Sequence, residues 1–212
     1  INGRINIMNL ISESYSIVKF LFNINDLRNL KSIFQHGILS KNEKLIRDIS
    51  STDLSNPDVQ KRRDDKRIPN HGMLHDYANL YFNPRNPMMY YLINHKKIDD
   101  LCIVCVDKRV LDLEGTVVSD RNAASELAAF ESADKGKRYI KFSKVFAKYW
   151  TSDNPLEQYE NKQIQCAEVL VLNKVPVEYL IGVIVCNENA KQKVEDLNLN
   201  IQVIIRKELF FQ

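Results

Sequence analysis

Glycine is scarce, with 6 residues in a chain of 212. This excludes the nucleotide sites that cradle phosphate on glycine-rich turns, and neither a G-x-G-x-x-G nor a P-loop sequence occurs. There is no H-E-x-x-H zinc helix and no G-x-S-x-G nucleophile elbow. The four histidines, at positions 36, 71, 75 and 95, form no ligand pattern, and no carboxylate cluster suited to magnesium stands out. No metal is expected. No apolar run approaches the ~18 residues a membrane span requires. No secretory signal is visible in the opening INGRINIMN, which is polar and lacks an h-region. Residues 1–14 are read as a possible leader, with Met8 the first methionine.

Cysteine is sparse too. Cys102, Cys105, Cys166 and Cys186 all lie in apolar stretches such as LCIVCVD. Cys102 and Cys105 make a C-x-x-C, but a structural zinc needs four ligands and no second pair appears. A strand would also turn residues three apart to opposite faces. Buried free thiols in a reducing cytoplasm are the expectation. Net charge is only +3, so composition alone does not mark a nucleic-acid binder. The local distribution says more: Gln60 to Arg67 reads QKRRDDKR, and Lys135 to Lys148 holds Lys137, Arg138, Lys141 and Lys144 as well. Such runs serve either as a solvated face or as a phosphate-binding surface.

What is present is a mixed pattern. Ser16 to Asn23 reads as a strand. Asn25 to Gln35 reads as a helix, capped by Asn25 or Asp26 and ended by Gly37. Residues 41 to 76 look like a long, mostly irregular excursion. Leu80 to Ile93 starts as a strand, is broken by Pro84 and Pro87, and continues as a helix opened by Pro87. Leu101 to Val106 is a continuous apolar strand, and a second excursion runs from 126 to 163. Ala167 to Leu172, Tyr179 to Cys186 and Ile201 to Arg206 read as strands. With helices early and strands late, the class is α+β in one domain spanning 1–212.

Three stretches could carry chemistry. In AEVLVL, Glu168 shares a strand face with Leu170 and Leu172. Such a carboxylate is either a rim residue or one held in a cleft to stabilise an oxocarbenium-like transition state. In YFNPRNPMMYY, Tyr81 to Tyr91, aromatics, Met and Arg crowd around two prolines. A core strand feeding a core helix explains much of this, and a rigid turn whose rings stack on a nicotinamide or a base explains it too. In NPDVQKRR, Arg62 and Arg63 either face solvent from a loop or clamp a phosphate.

Taken in order, these stretches resemble the DarT family, bacterial toxins that ADP-ribosylate DNA bases using NAD. NINDLRNLKSIFQHGILSKN, NPDVQKRR, LHDYANLYFNPRNPMMYY, SDRNAAS and CAEVLVLNKVP carry the likeness over about residues 15 to 185. The resemblance implies an ADP-ribosyltransferase (PARP-like) fold, two small β-sheets flanking an NAD cleft with helices outside. It implies Glu168 as the catalytic glutamate and Arg63, or Arg62 in the alternative register, as the essential arginine. Asn23, Asn25, Gly37, Leu39, Asn42, Tyr81, Phe82, Met88 and Tyr91 would line the NAD site, with NAD as a substrate. Residues 119–163 would be the substrate-recognition segment. There Arg121, Asn122, Lys148, Tyr149 and Trp150, together with Arg85, would meet single-stranded DNA, the alternative for Trp150 being a core anchor. The favoured base is thymine, with guanine second. A macrodomain antitoxin (DarG-like) would be the partner, and the toxin itself a monomer. The sequence departs from the histidine-first transferases at Asn23, where His is usual; Asn still donates and accepts a hydrogen bond to a ribose hydroxyl. Two other readings stay open: the same fold acting on RNA or protein, and a non-catalytic nucleic-acid-binding module.

Overall fold

A computed structural model describes residues 19–69, 71–136 and 138–212. The possible leader and the first part of the strand expected at Ser16–Asn23 therefore lie outside the described residues, as does Lys137. Ten strands and eight α-helices are described: β1 Phe20–Asp26, α1 Leu30–His36, β2 Ile38–Leu39, α2 Lys41–Ile46, α3 Pro57–Asp64, β3 Tyr77–Tyr81, α4 Pro87–His95, β4 Leu101–Asp107, β5 Val117–Ser119, β6 Phe130–Ser132, α5 Ala133–Gly136, α6 Phe142–Val145, α7 Pro155–Ile164, β7 Glu168–Leu172, β8 Lys174–Val175, β9 Leu180–Val185, α8 Glu188–Glu195 and β10 Gln202–Ile205.

The strands run in the order β10-β9-β4-β1-β3-β7-β5-β6, with β2 and β8 paired separately. Between β1 and β3 the only residue pair in register is Phe22 with Tyr81. On either side the ladders are longer: β1 matches β4 over seven residue pairs and β3 matches β7 over five. The two expected sheets are thus two four-stranded halves of one sheet, hinged at that pair. The unpaired length of β1 beyond Phe22 opens the cleft between the halves.

Strand β4 is buried along Leu101–Val106, which is why its sequence is continuously apolar rather than alternating. Its two thiols are free and buried, and burial pushes the Cys105 thiol up to about 12. Three helix starts follow one rule. Asn56, Asn86 and Asn154 each accept backbone N–H groups at a helix N-terminus, and each is followed by proline at the first turn.

Three sequence expectations are corrected. The helix expected from Asn25 begins at Leu30, because β1 continues to Asp26 and Asp26 caps a short 3₁₀ turn at Leu27–Asn29. The excursion 41–76 is not mostly irregular: it holds α2 and α3, whose starts are capped by Ser40 and Asn56. Arg62 and Arg63 therefore sit on a helix, not in a loop. The late excursion likewise contains α7, so helices are not confined to the first half.

Gly37 ends α1 at φ 88°, ψ 179°, a region essentially closed to side chains. A Cβ there would collide with the Val175 carbonyl oxygen on β8. Gly37→Ala is expected to lower stability by about 2 kcal/mol or more, read as a shift in urea midpoint at unchanged m-value.

Candidate active site

Glu168 opens β7, opposite Tyr81 of β3 on one side and Ser119 of β5 on the other. The register places it at the hinge between the sheet halves, and it is fully buried. It is a cleft residue, not a rim residue. Arg63 Nη1 donates to both of its oxygens, at 3.3 Å to Oε1 and 3.2 Å to Oε2. The backbone N–H of Ala123 donates to Oε1 at 2.9 Å. A buried carboxylate is tolerated only when it is paired and hydrogen-bonded, and here both conditions are met. Arg63 is the one buried residue of α3 and pairs with Glu168, while Arg62 is exposed.

The pair stands in the wall of a cleft of about 730 Å³, within the range of small-molecule sites. One flank is the inner face of β1 with β2 and the 49–56 segment, another is β3 and α4, and the third is α7 with Asn122. Of the residues singled out from sequence, Asn23, Asn25, Leu39, Arg62, Arg63, Tyr81, Met88, Tyr91, Asn122 and Glu168 line it. Burial, and then the Glu168 charge, push the Tyr81 phenol well above its ordinary range, so Tyr81 presents a neutral hydroxyl.

Others stand elsewhere. Phe82 is core, edge-on to Phe142 at 5.5 Å. Asn42 is bound to Asp76 Oδ1 at 2.6 Å, and Gly37 shapes the turn into β2. Arg121 pairs with Asp120 at 2.9 Å. Arg85 donates to the carbonyls of Lys148 and Glu208 and lies 4.0 Å from the Phe211 ring centre. Trp150 packs edge-on to Tyr90 and Phe211, the anchoring role rather than an open stacking face. Lys148 and Tyr149 are exposed and do not border the cleft.

Sequence reading missed several cleft residues. Asn29 fixes the 49–56 wall through two bonds to Thr52, Nδ2 to its carbonyl at 2.9 Å and Oδ1 from its N–H at 2.8 Å. Lys44 also lines the cleft, and burial draws its ammonium below the ordinary lysine value. His75, in the LHD turn before β3, carries a buried Nε2 with no hydrogen-bond partner among the described residues. Its position just ahead of the Tyr77–Tyr81 strand was the available signal. The SDRNAAS stretch contributes through the main-chain N–H of Ala123, which no side-chain pattern discloses.

Two predictions follow from this packing. Arg63→Ala strands a buried charge and is expected to destabilise by about 3 kcal/mol, more than Glu168→Gln, in paired denaturant titrations. His75 is held below its ordinary pKa by burial and then by the positive charges of Lys41 and Arg63. Below pH ~6.5 the unfolded chain takes up a proton that the folded chain resists. Stability should therefore decline as pH falls from about 6.5 toward the folded value, and the decline should flatten in His75→Gln.

A family model described as "ssDNA thymidine ADP-ribosyltransferase, DarT" matches residues 22–211. A "DNA ADP-ribosyl transferase-DNA ADP-ribosyl glycohydrolase fusion protein" of Thermosipho africanus (strain H17ap60334) is 29% identical over 195 residues, covering 90% of this chain and 49% of its own length. The chain thus spans about half of that relative. A structure of Thermosipho africanus DarTG in complex with ADP-ribose aligns at TM-score 0.80 with 28% identity, covering 91% of this chain and 51% of that one. Thermus sp. 2.9 DarT in complex with ADP-ribosylated ssDNA aligns at TM-score 0.78 with 22% identity, covering 94% and 99%. The same protein in complex with NAD+ aligns at 0.73 with 22% identity, covering 92% and 99%.

Proposed function

The chain belongs to the DarT family, and from that premise we propose that it transfers ADP-ribose from NAD to a thymine base of single-stranded DNA. The observation that carries this reading is the buried Arg63–Glu168 pair in the cleft wall. The family description and the titles of the Thermus complexes, with NAD+ and with ADP-ribosylated ssDNA, support the two substrates.

In the proposed reaction the bond between the ribose anomeric carbon and the nicotinamide nitrogen breaks. Its electron pair leaves with the nicotinamide, and positive charge develops on the ribose. Glu168 stabilises that charge. Its bonds to Arg63, 3.2 and 3.3 Å, are long for charge-assisted bonds, which run nearer ~2.8 Å. A ribose hydroxyl can therefore displace one of them, while the Ala123 N–H keeps the other oxygen in place. Tyr81, Met88 and Tyr91 offer an apolar seat for the nicotinamide, and Asn23 and Asn25 offer amides for ribose hydroxyls. Arg62 and Lys44 are cations for the diphosphate. The thymine ring nitrogen carries a proton at neutral pH. As the new carbon–nitrogen bond forms, Glu168 takes that proton and Arg63 steadies the negative charge on the base.

A free transferase of this kind modifies its host's DNA. The Thermosipho relative carries a glycohydrolase in the same polypeptide, which supports a toxin role with a macrodomain antitoxin that removes the mark.

The test is to incubate the protein with NAD and a mixed single-stranded DNA pool and weigh the oligonucleotides. One added ADP-ribose is expected on thymine, absent without NAD and slowed about a hundred-fold or more in Glu168→Ala. Near-normal transfer by that variant would remove Glu168 from the mechanism, modification of guanine would remove the thymine assignment, and transfer only to RNA or protein would remove DNA.

A further inference from the structure

Helix α7 places one aromatic ring at the cleft that has no structural task. Tyr159 lines the cleft, is 59% exposed, and makes no hydrogen bond or ring contact among the described residues. Lys162 and Gln163 stand three and four residues on, so they share its helix face, and they line the same cleft. Lys162 likewise has no hydrogen bond or ion pair among the described residues. One turn further along the chain comes Cys166, also in the cleft wall, and then Glu168 itself. A tyrosine with an open face next to an unpaired lysine suits one nucleotide: the ring stacks on a base and the ammonium meets the adjacent phosphate.

The helix carrying this pair is fixed at both ends. Asn154 caps its start, with Pro155 in the first turn. Lys144 Nζ donates to Asn161 Oδ1 at 2.9 Å, the Asn122 N–H donates to the Gln163 carbonyl at 2.9 Å, and Gln165 Nε2 donates to the Ala147 carbonyl at 2.8 Å. The Asn122 bond matters most, because the next residue, Ala123, holds Glu168. The platform and the carboxylate are thereby positioned by adjacent residues of one loop. The rings first expected to stack do not compete. Trp150 is half-buried, packs edge-on against Tyr90 and Phe211, and borders the cleft no more than Tyr149 does.

We propose that Tyr159 and Lys162 are the acceptor platform, holding a nucleotide of the single-stranded DNA substrate so that its thymine reaches the anomeric carbon beside Glu168. This rests on the transferase reading above.

The experiment measures KM for oligothymidylate and KM for NAD separately, with each substrate saturating in turn. Tyr159→Ala should raise the DNA constant roughly ten-fold or more without raising the NAD constant, and Tyr159→Phe should restore it because the ring face is kept. Lys162→Gln should reduce the dependence of log KM for DNA on log salt by about one unit. Ile46→Ala, at an exposed apolar residue (77%) that does not border the cleft, should change neither constant. Because Tyr159 is exposed, the alanine variant should melt with the wild type. A rise in the NAD constant would assign the ring to the donor subsite and overturn the proposal, as would two unchanged constants. A wild-type protein inert toward DNA would overturn the transferase reading itself, before any variant is made.

Discussion

The structure turns on one ion pair between residues 105 positions apart. Arg63 and Glu168 are both withdrawn from water, and each alone would be expensive to bury. Together they require α3, the head of β7 and the loop after β5 to meet at one point, because the third bond comes from Ala123. Such a pair adds little net stability compared with an apolar contact. What it supplies is a carboxylate with a fixed direction and a partner whose bonds are long enough to be exchanged.

That requirement explains the sheet. If β1 and β3 paired along their full length, the chain would form a continuous eight-stranded surface with no place for a ligand. Pairing only Phe22 with Tyr81 lets the halves part immediately beside Glu168, whose other neighbour in the ladder is Tyr81. The cleft is therefore a product of register. The segment that walls it, 49–56, has no helix or strand of its own, so its position depends on side-chain ties to the sheet.

How much of this was legible in the sequence differs by residue for physical reasons. The glutamate was visible because a lone carboxylate in an apolar strand is anomalous. The strand and helix read over Leu80–Ile93 were visible because Pro87 can open a helix; the structure adds that Asn86 caps it, and the same Asn-Pro dipeptide at Asn56 and Asn154 marks α3 and α7. Reading that rule at all three sites would have moved Arg63 from a loop to a helix. The partner of Glu168 was not legible from periodicity, since α3 has almost no apolar face and buries only Arg63. Resemblance supplied that arginine. The anchoring of Arg85 and Trp150 against Phe211 was not legible because the last residues of the chain had no pattern linking them to residue 85. The Ala123 contact was out of reach in principle, as every residue but proline has an N–H.

The departure at Asn23 is answered by a chain of amides whose polarity can be deduced from its ends. The Thr52 N–H is only a donor, so the Asn29 group facing it is Oδ1, and Nδ2 of Asn29 must donate onward to the Thr52 carbonyl and to Asn25 Oδ1. The Asp26 N–H independently requires an oxygen at that same Asn25 atom. Asn25 Nδ2 is then left to donate to Asn23 Oδ1 at 2.8 Å, and Asn23 Nδ2 donates to the Asn79 carbonyl at 3.1 Å on β3. Backbone groups at both ends thus fix every amide without reference to a ligand. The chain also spans the cleft floor, joining β3, β1 and the 49–56 wall across the stretch where the sheet halves do not pair. A neutral imidazole at position 23 could satisfy the same two neighbours with one donor and one acceptor, but it would have nothing left. Asparagine keeps a second N–H and a second lone pair, so it retains the tie between the sheet halves and leaves hydrogen-bonding capacity at a residue that lines the cleft.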